Sequence, residues 1–341
     1  YAKIIYLGGL ANMEKMKKTL ALILAGTTLA LSTGMPVIAV EENASLTAAE
    51  AYVQQSTVYH YPITPDDPEW LEFDSVIDMR EACRIPQEML KTMSTEEVVE
   101  AALHYPLLID FYAFDTYDDG LDAILRESDA FLELMTRPDR AEKLAVRLQV
   151  QRTLDRSRSA ELTFEQMILN DLLTLGRFSG NSISPYSEEQ WEYITIHTPN
   201  GSPVTVIKKN EEYTATIQQI RKEYYAKTYP AAWYLAPATP RYNCHSYAWV
   251  LRSPDNIYWL EDTSAYRYDG SYYSVSLPNA KAGDIVWYVN GHHSAVLESV
   301  SLAARPEKQM VVSKWGPEPL FRHTVDYCPY YQDTTSFTYW H

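Results

Sequence analysis

The apolar residues of this chain change period once, and that change limits the folds open to it. From Trp70 to Gly176 they recur at helical spacing, and from Tyr193 onward they alternate or run in blocks of strand length. Helices gathered in one half and strands in the other predict an α+β protein. We expect an all-α helical domain over 69–178 and an α+β domain over 190–341, joined by a small, polar linker over 179–187. In the first half, Ser94 with Glu97 three residues later reads as a capping box, with Met93 and Val98 placed for a hydrophobic staple. Leu121, Ile124, Leu125, Phe131, Leu132 and Met135 trace one apolar helix face. Phe164, Met167, Ile168, Leu172 and Leu175 trace another, with Gly176 as its C-cap.

In the second half, 193–198 and 204–207 flank Pro199-Asn200-Gly201-Ser202 and read as a β-hairpin. Residues 210–226 return to helical spacing and 230–240 read as a loop. From Cys244 the order is helix, loop, then strands over 285–289, 294–300 and 310–313.

A length of 341 residues suits two domains. The net charge of −16 argues against a nucleic-acid partner, because neutralising phosphates needs clustered Lys and Arg. The 27 tyrosines suit a wet surface that grips polar polymers, and compositional habit accounts for them equally well. Met16-Lys17-Lys18, the apolar run Leu20 to Leu31, and Val37 and Ala39 at small-x-small spacing form a secretory signal peptide. Its core is too short to span a bilayer, which takes about 20 residues. Residues 1–39 are therefore set apart as an upstream extension and signal, with 40–68 as a leader that ends in a proline-rich break. The protein is expected outside the cell, with only a transient membrane contact through the signal. Export implies an oxidising setting, and three cysteines cannot all pair. A Cys244–Cys328 disulfide and a Cys83–Cys328 disulfide that leaves Cys244 free both remain open.

Four pieces near the C-terminus carry chemistry. Tyr242-Asn243-Cys244-His245 places a cysteine at the start of an amphipathic helix, where the helix dipole lowers a thiol pKa. Lys281-Ala282-Gly283-Asp284 is a tight turn into an apolar strand. Gly291-His292-His293-Ser294 leads the next strand, with His292 expected on the opposite, exposed face. Val311-Val312-Ser313-Lys314 is a strand able to bring an orienting residue beside His293.

This ordered set, over roughly 230–330, resembles the CHAP family of amidases and peptidases, and more loosely the NlpC-type members of the papain-like clan. The resemblance implies a papain-like domain, a helix on an antiparallel sheet, with Cys244 as nucleophile and His293 as base. Where such families offer a Glu or Asn as third residue, this chain has Ser313-Lys314, and lysine cannot accept an imidazole N–H. Ser313 or His323 is left to take that place. The Cys244 backbone N–H, with Asn243 or Tyr242, would hold an oxyanion, and His245 and Trp315 would contact substrate. The helical half and the C-terminal tail resemble segments of secreted proteins of Firmicutes.

No cofactor is expected. A zinc site from Cys244, His245, His293 and His323 matches no closed ligand spacing, and Glu261, Asp262 and Asp269 lack EF-hand spacing. Asp110, Asp115, Asp118 and Asp119 read as a solvated acidic edge. The expected function is that of a secreted cysteine amidohydrolase or endopeptidase acting on a cell-wall peptide, with peptidoglycan the substrate implied, or on an extracellular protein. The alternatives are a catalytically inactive papain-like surface binding module and an extracellular protein–protein adaptor driven by the helical half.

Overall fold

The computed structural model describes residues 59–158, 163–175, 191–289 and 292–341. The segments read as a signal peptide, most of the leader, the linker over 179–187 and the Gly176 cap lie outside the described residues. Ten α-helices and ten strands are described, so the chain is α+β. The described residues fall into two compact units: 59–138 with the residues described over 174–341, and those described over 139–173. Among the described residues no helix is long and apolar enough to cross a membrane.

The larger unit opens with α1 (Val76–Ala82), α2 (Gln87–Thr92), α3 (Thr95–Leu103), α4 (Tyr117–Glu127) and α5 (Asp129–Thr136), with a 3-10 turn at Leu108–Tyr112. The capping box is made: Ser94 Oγ accepts from Glu97 N at 3.2 Å and Glu97 Oε2 accepts from Ser94 N at 2.7 Å. Replacing Ser94 with alanine leaves the Glu97 N–H to water, while the backbone N–H at 94 keeps its Glu97 acceptor. A loss of about 1 kcal/mol is expected, read as a lower urea midpoint at unchanged slope. The apolar face drawn from Leu121 to Met135 is in fact divided between two helices. Ser128 breaks the run and caps α5 by accepting from Phe131 N, and Leu132 turns out to solvent at 56% exposure. In the smaller unit, α6 (Arg140–Arg158) and α7 (Phe164–Thr174) bury Leu144, Ile168 and Leu172, and Arg152 donates to Asn170 at 2.8 Å.

The hairpin forms as β1 (Glu192–His197) and β2 (Pro203–Lys208), with β4 (Tyr258–Trp259) added to make a three-stranded antiparallel sheet. The helix read over 210–226 begins later, as α8 (Ala215–Thr228), because Thr214 Oγ caps it by accepting from Ile217 N. Then come β3 (Trp233–Ala236), α9 (Cys244–Trp249), α10 (Ser264–Tyr268) and β5 (Ser274–Val275). The last strands are β6 (Ile285–Tyr288), β7 (His293–Leu297), β8 (Met310–Lys314), β9 (Leu320–Thr324) and β10 (Phe337–Trp340). A seven-stranded antiparallel sheet runs β3-β9-β8-β7-β6-β10-β5.

Four of its strands, β3, β5, β9 and β10, are absent from the sequence reading. The 230–240 loop contains β3, a proline-flanked edge strand whose register shifts between Tyr234 and Ala236. The tail contains β9, paired on both sides.

Helix α9 packs between the two sheets, in a core with Val204, Val206, Leu260, Ile285, Val296 and Trp340. Tyr225, Tyr229, Trp315, Phe321 and Tyr327 form a second, aromatic core with centroids 4.4–5.6 Å apart. Many of the tyrosines are thus structural, with hydroxyls that reach buried acceptors: Tyr225 to Ile109 O at 3.1 Å, Tyr288 to Val325 O at 3.0 Å. Trp70, fully buried, donates to Thr228 O at 2.8 Å and ties the first 3-10 turn, Pro68–Glu72, to the end of α8.

Candidate active site

Cys244 is the first residue of α9, and Asn243 is its N-cap. Asn243 Oδ1 accepts from Ser246 N at 3.0 Å and from Leu260 N at 3.3 Å. Its Nδ2 donates to Leu260 O at 2.8 Å and to Asp115 Oδ2 at 3.0 Å. The side-chain amide is therefore committed to holding the helix start, and its N–H groups are not open to an oxyanion. Tyr242, next to it, is fully buried, stacked on Tyr247, and its hydroxyl has no hydrogen-bond partner among the described residues.

A helix start predicts a lowered thiol pKa, and here the structure reverses the expectation. Burial pushes the Cys244 thiol up, and the Asp115 carboxylate pushes the same way. The backbone N–H groups of Ser294 and His245 and the Lys314 charge offset only part of this. α9 has six residues, too few to assemble a strong dipole, while the thiol is 2% exposed. The resting residue is a neutral thiol.

His293 begins β7 and Gly283-Asp284 makes the turn before β6, with Gly283 at φ 94° and its N–H donating to Leu297 O at 2.8 Å. Asp284 closes the turn by accepting from Lys281 N at 2.8 Å. Successive residues of β7 face opposite ways. Ser294 turns to α9, where its Oγ lies 2.8 Å from His245 Nδ1 and accepts from Trp249 Nε1 at 2.9 Å. His293 lies on Tyr330, rings stacked at 3.8 Å and 10°, with Tyr288 edge-on at 5.0 Å. It has no exposed surface, and neither ring nitrogen has a hydrogen-bond partner among the described residues. Burial holds its pKa well below the usual imidazole range, with His323 and His245 adding to the effect. The Cys244–His293 hydrogen bond is thus not made in this conformation. His292, in the turn before, is exposed and has φ 46°.

The residues expected to orient His293 are occupied with each other. His323 Nε2 accepts from Trp315 Nε1 at 3.2 Å and from Ser313 Oγ at 2.7 Å, which leaves the ring proton on Nδ1 to donate to Thr324 O at 2.7 Å. Every polar atom of His323 is satisfied, and burial lowers its pKa to about 4. Neither Ser313 nor His323 hydrogen-bonds to His293. Trp315 is a core residue, packed on Phe321, Tyr229 and Tyr225, and offers no surface to substrate. His245 is buried against Ser294, its pKa lowered to about 4 by burial and then by His292 and Arg267. Lys314 is fully buried. It donates to Thr239 O at 3.1 Å and Gly316 O at 2.9 Å and sits 4.9 Å from the Tyr242 ring; burial lowers its pKa well below the usual range.

The acidic stretch also divides. Asp118 and Asp119 are exposed, but Asp110 is fully buried and accepts from the Tyr229 hydroxyl at 2.6 Å. Asp115 reaches solvent on one side, while the protein around its carboxyl raises its pKa to about 6 against the pull of the Asn243 bond. Asp115 and Tyr330 are the site neighbours that the sequence reading missed. Asp115 is read there as a solvated acid and Tyr330 as part of the tail, and no local pattern marks contacts as distant along the chain as Asp115 with Asn243 or Tyr330 with His293. All three cysteines are free and buried, so neither the Cys244–Cys328 nor the Cys83–Cys328 pairing is made. Among the described residues no cluster of His, Cys, Asp and Glu is arranged to hold a metal. No protein-family model, curated protein or solved structure matches this chain.

Proposed function

We propose that the chain is a papain-like cysteine hydrolase, exported from the cell, in which Cys244 attacks an amide carbonyl and His293 carries the proton. The observation that carries this reading is the contrast between His293 and His323. A buried polar group without a partner costs about 1–3 kcal/mol, so structural histidines are satisfied as His323 is. Among the described residues His293 stands unsatisfied at zero exposure, while Ser294, its neighbour in β7, lies with its Oγ 2.8 Å from Nδ1 of His245, the residue that follows the helix-opening Cys244. Catalytic hydrogen bonds are often long in a resting enzyme and close only with substrate.

The chemistry would run as follows. The Sγ–H proton passes to a His293 nitrogen as sulfur adds to the carbonyl carbon. The C–N bond then breaks, and the imidazolium gives its proton to the leaving amine. Water, deprotonated by the same nitrogen, releases the thioester as an acid. The Cys244 backbone N–H faces the developing oxyanion, and with Asn243 committed to the helix cap, Tyr242 is the remaining side-chain donor. An exported amide polymer, the peptide of the cell wall, is the substrate class proposed.

The test is hydrolysis of wall-derived peptides by the full chain. Cys244→Ala and His293→Gln are each expected to lower kcat/KM by about a thousandfold or more. Undiminished hydrolysis in Cys244→Ala would sink the reading. A second reading, a non-catalytic binding module, is favoured by the raised Cys244 pKa and the unmade thiol–imidazole bond. It predicts that both variants bind the same peptides as the parent and that none of the three proteins cleaves them.

A further inference from the structure

Resting on the reading just given for what the site does, one question remains: how substrate would reach a thiol and an imidazole that are 2% and 0% exposed. One loop touches a neighbour of each: Asn243, which precedes Cys244, and Tyr330, whose ring lies on His293. The loop between the 3-10 turn Leu108–Tyr112 and α4 contributes three successive residues, each with its own contact on the site. Asp115 Oδ2 accepts from Nδ2 of Asn243, the residue before Cys244, at 3.0 Å. The Ala113 carbonyl accepts from the hydroxyl of Tyr330, whose ring is stacked on His293. Phe114 packs edge-on to that same ring at 5.1 Å.

The loop also lies directly on Gly316, two residues beyond Lys314. That glycine has φ 52°, and a Cβ there would stand 2.4 Å from Ala113 O and 3.2 Å from Phe114 O. Only a residue without a side chain lets the loop come so close. Exposure rises along the cover, from Ala113, fully buried, through Phe114, half-buried, to Asp115, exposed. Its sequence position, in the N-terminal helical segment rather than in the strand-rich part, lets it move without breaking any strand pairing.

We propose that Ala113–Asp115 is a built-in cover of the Cys244–His293 site, and that the site admits substrate only when this loop is displaced. The Asn243–Asp115 and Tyr330–Ala113 hydrogen bonds are its two tethers. Displacement removes the Asp115 carboxylate from the thiol and releases the Tyr330 hydroxyl, so the ring is free to swing off His293 and one movement both opens the site and favours the thiolate.

The first experiment needs no variant. The full chain is treated with iodoacetamide at urea concentrations below its unfolding transition, and each cysteine is followed by peptide mass spectrometry. Moving three residues exposes little surface, so Cys244 is expected to label through a local opening with a much weaker urea dependence than Cys83 or Cys328. Labelling of all three with one common urea dependence, or rapid labelling of Cys244 in water, overturns the cover. In a second experiment, the double variant Asp115→Ala/Tyr330→Phe cuts both tethers and keeps the ring on His293. Relative to Asp115→Asn, which removes the carboxylate charge but keeps an acceptor for Asn243, loss of two hydrogen bonds is expected to raise the Cys244 labelling rate in water at least about tenfold while Cys83 and Cys328 stay protected. An unchanged Cys244 rate with those two still protected overturns the proposal.

Repeating the double variant with His293→Gln separates the cover from the hydrolase. The cover predicts the same gain in access. A gain that persists while no peptide is ever cleaved upholds the cover and removes the hydrolase. Cleavage by the parent protein, with no gain in access from cutting the tethers, does the reverse.

Discussion

Replacing Arg80 with methionine is expected to destabilise the larger unit by about 3–5 kcal/mol, the loss that follows when one partner of a buried ion pair is removed. Arg80 lies on α1 at 5% exposure, with Nη2 2.7 Å from Glu127 Oε1 on α4, itself 6% exposed. The same guanidinium donates to Tyr331 O at 2.6 Å and Pro329 O at 2.9 Å, so it joins two helices to the C-terminal segment. Methionine fills similar volume, and the effect therefore isolates the charge and its donors. What remains is a buried Glu127 near the buried Asp110, each of which already has a raised pKa, in both cases chiefly through burial. The double variant Arg80→Met/Glu127→Gln should recover part of the loss, since no uncompensated charge is then left. Urea unfolding of the parent and the variants checks both statements. A drop under about 1 kcal/mol for Arg80→Met would mean that the pair is relaxed by water.

The second large effect is acid sensitivity from His323. Its pKa is about 4 in the folded protein, against about 6.5 unfolded. Between those values the unfolded chain binds a proton that the folded chain refuses, so stability rises with pH across this window. The contribution is fully present above about pH 6.5, falls as pH drops, and is lost below about pH 4, amounting to about 3 kcal/mol. Buried carboxyls act in the opposite direction. Asp110, with its raised pKa, favours the folded state most in acid and loses that contribution as pH rises. A comparison with His323→Gln cancels those other groups, because glutamine does not titrate and its Oε1 still accepts from Trp315 and Ser313. The parent is expected to lose about 3 kcal/mol more than His323→Gln between pH 7 and pH 4. Equal losses in the two proteins would show that His323 is already protonated or solvated when folded.

The features readable from residue order are those that depend on near neighbours. The Ser94–Glu97 box needs only a spacing of three, the β1–β2 hairpin needs alternation around Asn-Gly, and the Gly283-Asp284 turn needs a residue at ease with positive φ. The start of α9 at Cys244 and of β7 at His293 follow from similarly local patterns, as does the α+β class from the change of period. Strands β3 and β9 were hidden because each takes its character from partners far along the chain: one is a short edge flanked by prolines, the other a five-residue run in an apparent tail.

Protonation lay beyond residue order for the same reason. A helix start tells of a dipole, whereas the Cys244 pKa follows from everything packed around the sulfur, including Asp115 from more than a hundred residues away. Three histidines near the site look alike in sequence. Among the described residues, packing alone gives the His323 ring three hydrogen-bond partners, the His245 ring one hydroxyl and the His293 ring none. Backbone conformation is set over three or four residues and is written locally, whereas burial and charge sum over the whole fold, and there the candidate site acquires its chemistry.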